Sequence, residues 1–202
     1  INNLSASAVA ESCAALTQAI RESQIVMLPG GFSGGDEPEG SAKFITAFLR
    51  APSVTEAVHE LLQKRDGLML GICNGFQALI KLGLVPYGEI RPITADCPTL
   101  TFNTINRHQS MLVNTRIASN KSPWLSRCSV DEVHTIAISH GEGRFVASDE
   151  VVKSLIENGQ VATQYVDAAG QPTMDLRYNP NGSVLAIEGI TSPDGRVLGK
   201  MG

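Results

Sequence analysis

Residues 67–84, GLMLGICNGFQALIKLGL, constrain the fold more than any other stretch of the chain. GLMLGI is a short, continuous apolar run, the pattern of a strand covered on both faces. From Asn74 to Leu82, Phe76, Leu79 and Ile80 recur at helical spacing. A buried strand must therefore give way to a helix at one residue, Cys73, and the neighbouring Gly71 and Gly75 permit so sharp a turn. Buried strands alternating with helices indicate an α/β fold, a mostly parallel sheet with helices on both faces.

The flanking sequence extends this pattern. Val9, Cys13, Leu16 and Ile20 form the apolar stripe of a helix that Ser5 or Ser7 caps. QIVMLP reads as a second buried strand ending at Pro29, followed by the Gly-rich acidic loop PGGFSGGDEPEG. Residues 41–50 read as helical, and Val54, Ala57, Val58, Leu61 and Leu62 mark a further helix. After Pro98 the texture changes. TLTFN, SMLVNTRI, TIAISH, VATQYVD and VLAIEGIT are strand-like, with NPNG and SPDG as turn signals. One helix over residues 149–158, capped by Ser148 or Asp149 and ended by Gly159, interrupts them. This half reads as an antiparallel, strand-rich extension, hairpins packed on the edge of the α/β sheet. With 202 residues, 43% of them hydrophobic, and no repeat or linker, the expectation is one domain over residues 1–202, its α/β half about 1–97 and its strand-rich half about 98–202.

Composition excludes several roles. A net charge of -4 with scattered Lys and Arg offers no basic face for nucleic acid and no polybasic patch for a membrane. No apolar run is long enough to span a bilayer. Cys13, Cys73, Cys97 and Cys128 form no C-x-x-C pair and no zinc spacing, which fits thiols in a reducing cytoplasm.

A cysteine between a buried strand and a helix projects at the carboxyl end of the sheet, where α/β folds build their sites. The helix N-terminus supplies unpaired N–H groups that lower a thiol pKa and can hold an oxyanion. This is the logic of a nucleophile elbow with Cys in place of Ser. The competing reading is a buried structural cysteine, and the Gly-x-Cys-x-Gly context favours the nucleophile.

GICNGFQ resembles the nucleophile motif of class I glutamine amidotransferases, Gly-x-Cys-x-Gly-x-Gln, and LPGGFSGGD resembles their oxyanion loop. Together with the segment around Arg107, ISHGEGRF and NPNGS, the chain resembles over nearly its whole length the glutaminase domains of phosphoribosylformylglycinamidine synthases. The resemblance implies a flavodoxin-like class I amidotransferase fold and hydrolysis of glutamine, with the ammonia used to amidate formylglycinamide ribonucleotide in purine synthesis. It implies that Cys73 attacks the glutamine amide to form a thioester, and that the N–H groups of Gly31 and Asn74 form the oxyanion hole. Gly30, Gln77, Ser139, His140, Gly141 and Glu142 would bind the substrate. At the level of the residues alone, the PGG loop can also be a plain turn and Gln77 an exposed helix residue. Asp36, Glu37 and Glu39 read as a solvated loop face rather than a metal site, so no metal is assigned. The chain has no Walker-type phosphate loop, so no cofactor is expected in this domain, and ATP and Mg are expected on a synthetase domain or subunit.

The base that completes such a site is the open question. His59 and His134 read as structural or exposed, and His108 stays undecided. His140-Gly141-Glu142 mimics the His-x-Glu of the amidotransferases, but the resemblance places that pair after the last strand, just past Gly202. The chain also begins at Ile1 and stops directly after VLGKMG, so it is expected to be a piece cut at both ends, inactive on its own. Two other roles stay open: a cysteine hydrolase or peptidase of the same fold, and a docking module without catalysis.

Overall fold

In the computed structural model, which describes residues 1–31 and 41–202, the elbow segment forms as its pattern requires. The acids Asp36, Glu37 and Glu39 lie outside the described residues. Helix α1 (Ala6–Glu22) starts at Ser5, whose hydroxyl accepts the Ala8 N–H. It is followed by β1 (Ile25–Leu28), α2 (Lys43–Leu49) and α3 (Pro52–Gln63). Pro52 opens α3, where its missing N–H costs nothing. Val54, Ala57, Val58, Leu61 and Leu62 of α3 are all buried, as the stripe predicted. Burying each Val or Leu contributes roughly 1.5–3 kcal/mol. Strand β2 (Leu68–Ile72) and helix α4 (Asn74–Leu82) flank Cys73, and a single turn, α5 (Leu84–Tyr87), follows.

The second half contains β3 (Thr99–Thr101), β4 (Gln109–Ile117), β5 (Val133–His140), β6 (Arg144–Val146), α6 (Asp149–Glu157), β7 (Val161–Val166), β8 (Ile187–Thr191) and β9 (Val197–Lys200). Ser148 rather than Asp149 caps α6, accepting the Val151 N–H. Among the described residues, seven strands form one sheet in the order β1-β2-β9-β8-β7-β4-β5. Strands β1, β2 and β9 run parallel, and every pairing from β9 outward through β8, β7, β4 and β5 is antiparallel. The strand-rich half is thus an antiparallel extension of the parallel sheet, joined at its edge through backbone hydrogen bonds. The last strand of the chain, β9, is the seam: it pairs with β2 on one side and β8 on the other. A small second sheet joins β3 to β6, a strand the sequence pattern did not mark.

One expectation is corrected. QIVMLP reads as a buried strand, yet Ile25 and Met27 are 49% and 57% exposed. Strand β1 is an edge strand among the described residues, and only Val26 and Leu28 pack against the core. That core joins α3, α4, β2 and β9 through Leu61, Met69, Phe76, Leu79 and Val197, all at most 1% exposed. It is the platform that presents Cys73.

Candidate active site

Cys73 stands at the carboxyl end of β2 with φ 52° and ψ -108°. A side chain held in such a sparsely populated region costs on the order of 1–3 kcal/mol and persists only where its surroundings over-determine it. They do so here. The Cys73 N–H donates to the Lys200 carbonyl at 2.9 Å, and the Cys73 carbonyl accepts the Gln77 N–H at 3.0 Å. Gly75 lets α4 start against β1, because a Cβ there would come within 1.9 Å of the Leu28 carbonyl oxygen.

The PGG loop closes over the sulfur. A Cβ on Gly30 would lie 3.1 Å from Cys73 Cβ, and Gly31 takes φ +121°, a conformation that glycine alone adopts readily. The N–H groups of Asn74 and Gly31 both point to the Cys73 thiol. These are the donors that the resemblance named for the oxyanion hole. Their effect on the thiol differs from the sequence expectation. Burial pushes the Cys73 pKa up, the two N–H groups pull it back only in part, and the balance lies above the ordinary value. Desolvation outweighs the two N–H contacts at the helix N-terminus.

A cavity of about 260 Å³ opens in front of the sulfur, lined by Gly31, Cys73, Asn74, Gln77, Ser139, His140, Gly141 and Glu142 together with Ser41, Phe102 and His108. Apart from Gly30, which packs against Cys73, every residue assigned to the site from the sequence lines it. The volume falls below the ~300–1,000 Å³ of clefts for drug-sized ligands and suits a single amino acid.

Gln77 is buried, and its side-chain amide donates to the Glu142 carbonyl, so it braces the cavity wall as well as lining it. The Glu142 carboxylate accepts the Ser41 hydroxyl, and the Lys81 ammonium donates to the Ser41 carbonyl. Ser139 Oγ and His108 Nε2 lie 3.0 Å apart. His140 is 3% exposed, and among the described residues neither ring nitrogen has a hydrogen-bond partner. Burial, with a smaller push from His108, lowers its pKa to about 4, so the ring is neutral at physiological pH.

Sequence reasoning missed Ser41, Phe102 and the residues that hold the SHGEGR loop. Asn103 is 2% exposed, and its amide nitrogen donates to the carbonyls of His140 and Arg107 at 2.9 and 3.1 Å. Its amide oxygen accepts the Gly143 N–H at 3.1 Å. NPNGS, one of the motifs that carries the resemblance, lines no part of the cavity. It is a buttress: Asn181 Nδ2 donates to the Gly143 carbonyl at 3.0 Å and to the Tyr165 hydroxyl at 2.8 Å, and Ser183 Oγ accepts the Phe145 N–H at 3.0 Å. No local signal separates a buried asparagine that braces a loop from one that simply makes a turn.

Cys128, Glu132 and His134 place one potential ligand atom each within 4.8 Å of one another, an arrangement no spacing rule flagged. They lie at the far end of the β4–β5 hairpin from His140.

Residues 2–202 match the CobB/CobQ-like glutamine amidotransferase domain. The chain is 39% identical over 181 residues to the phosphoribosylformylglycinamidine synthase subunit PurQ of Synechocystis, covering 88% of this chain and 70% of that protein. It is 34% identical over 177 residues to the PurQ subunit of Aquifex aeolicus, with the same coverage. Among solved structures it is similar to PurLQS from Thermotoga maritima, with a TM-score of 0.64 and 26% identity over 88% of this chain and 67% of that one. No helix among the described residues is long and apolar enough to cross a membrane. The elbow cysteine, its two N–H donors and a family match spanning residues 2–202 agree, and the chain belongs to the CobB/CobQ-like glutamine amidotransferases.

Proposed function

We propose that this chain supplies the nucleophile and the glutamine pocket of the glutaminase part of a phosphoribosylformylglycinamidine synthase, which hydrolyses glutamine to glutamate and ammonia. One observation carries the chemistry: the N–H groups of Asn74 and Gly31 converge on the Cys73 thiol at the mouth of a cavity sized for one amino acid. The sulfur attacks the side-chain amide carbon of glutamine, and the carbonyl oxygen takes up negative charge. The two N–H donors stabilise that charge, and removing one such donor costs about 3 kcal/mol. The C–N bond then breaks, the nitrogen leaves as ammonia carrying the thiol proton, and a γ-glutamyl thioester remains. Water cleaves the C–S bond, which restores the thiol and frees glutamate. Ser139, His140, Gly141 and Glu142 line the wall that would hold the amino-acid end of the substrate.

In this reading the ammonia passes to a synthetase partner that binds ATP, Mg and formylglycinamide ribonucleotide. The similarity to synthase subunits and to PurLQS supports that division of labour. A reducing, cytoplasmic setting fits four free cysteines. The test is ammonia release from glutamine by the intact protein, with mass mapping of Cys73 after treatment with an electrophilic glutamine analogue. Ammonia release that Cys73→Ser abolishes is the expected result. Cleavage of peptides without ammonia release, or no label on Cys73, overturns the proposal.

A further inference from the structure

Strand β8 is buried at every position from Ile187 to Thr191, and the side chain in its second position is a carboxylate, Glu188, at 1% exposure. Packing alone favours an apolar residue there, because desolvating a carboxylate costs several kcal/mol unless its partners repay it. A local rule broken in the core marks a specific task. The partners of Glu188 identify that task. Its Oε1 accepts the N–H groups of Met201 and Gly202, each at 2.8 Å, and lies 3.5 Å from the Lys200 ammonium. Its Oε2 accepts the Thr163 hydroxyl.

These contacts begin where the β8–β9 ladder stops. The register runs through Gly189 opposite Lys200, and beyond it the carboxylate replaces the missing strand partner for two backbone donors. The chain leaving β9 is therefore fastened directly beside the elbow, because the Lys200 carbonyl is the group that accepts the Cys73 N–H. We propose that Glu188 is a positioning residue for the nucleophile: by gripping Lys200, Met201 and Gly202 it fixes the Lys200 carbonyl, and that carbonyl holds Cys73 in its strained conformation. Glu188 does not line the cavity.

The inference rests on the glutaminase reading, and its test separates the two. Glutamine hydrolysis is measured for the intact protein, Glu188→Gln, Glu188→Asp and Glu188→Leu, each normalised to folded protein by circular dichroism. In parallel, the rate at which iodoacetamide alkylates Cys73 is read by peptide mapping, without glutamine. Gln keeps an oxygen for the two N–H groups, and its kcat is expected to stay within about threefold, given that the conserved bonds hold the geometry. Asp keeps the charge but withdraws it by one methylene, and Leu removes the acceptor. Both are expected to lower kcat about tenfold to a hundredfold through misplacement of the nucleophile, with KM nearly unchanged and Cys73 alkylation altered in step. If Leu does not fold, Asp carries the comparison. A wild-type kcat per folded molecule in the Asp variant, or an equal loss in Gln and Asp, overturns the inference. Absence of glutamine hydrolysis in the wild type sinks the glutaminase reading alone, since the alkylation series still reports whether Glu188 positions Cys73.

Discussion

The side-chain amide of Gln77 donates to the backbone carbonyl of Glu142, joining α4 to the loop after β5 across 65 residues of sequence. The helix that carries the nucleophile thereby also sets one wall of the cavity. Gln77→Ala is expected to leave that carbonyl buried and unpaired, at a cost of about 1–3 kcal/mol. Because in the proposed reading this wall holds the amino-acid end of glutamine rather than the reacting atoms, steady-state glutaminase kinetics should show KM raised about tenfold or more, with kcat changed much less. A change confined to kcat would contradict this role.

Strain at the nucleophile makes a second prediction. Cys73 sits at φ 52° and ψ -108°, where a Cβ is unfavourable. Cys73→Gly should abolish glutamine hydrolysis yet stabilise the fold by about 1 kcal/mol, the relief of strain exceeding the entropy that glycine adds to the unfolded chain. Urea unfolding of the two proteins measures the difference. A destabilised glycine variant would show that the elbow stores no strain.

The two thiols Cys73 and Cys97 should react in an order that glutamine chemistry reverses. Burial raises the Cys73 pKa more than its two N–H contacts lower it. At Cys97 burial also raises the pKa, but hydrogen bonds with Thr94 and Tyr87 and the Arg91 charge outweigh it, and the pKa falls. Iodoacetamide at pH 8 should therefore label Cys97 before Cys73, while an electrophilic glutamine analogue should label Cys73 first. Peptide mapping of both reactions provides the check.

His140 links the cavity to acid stability. Its folded pKa of about 4 lies below the ordinary 6.5, so above pH 6.5 the ring is neutral whether the chain is folded or unfolded. Between pH 6.5 and pH 4 the unfolded chain takes up a proton that the folded one does not, and stability falls as pH drops. At about 1.4 kcal/mol per pH unit the loss reaches roughly 3 kcal/mol near pH 4 and then levels off. His140→Asn should flatten this part of the profile in urea titrations at pH 5 and pH 7. An unchanged slope would place the acid sensitivity elsewhere.

By itself the sequence determined most of the elements and singled out Cys73. The continuous apolar runs marked β1 and β2 as strands, the α3 stripe marked a core-facing helix, and Cys73 between Gly71 and Gly75 marked the sharp strand-to-helix turn. These signals are local, a matter of spacing over a few residues. The tertiary structure decided what depends on chain segments meeting. It made β1 an exposed edge, made β9 the seam between the parallel and antiparallel strands, and turned NPNGS into a buttress. It set the Cys73 thiol above its ordinary pKa, because desolvation is a property of the whole surround. It also put the Glu188 carboxylate under the chain that leaves β9. No spacing rule announces such contacts, since the partners of Glu188, Asn103 and Gln77 are brought to them by the fold.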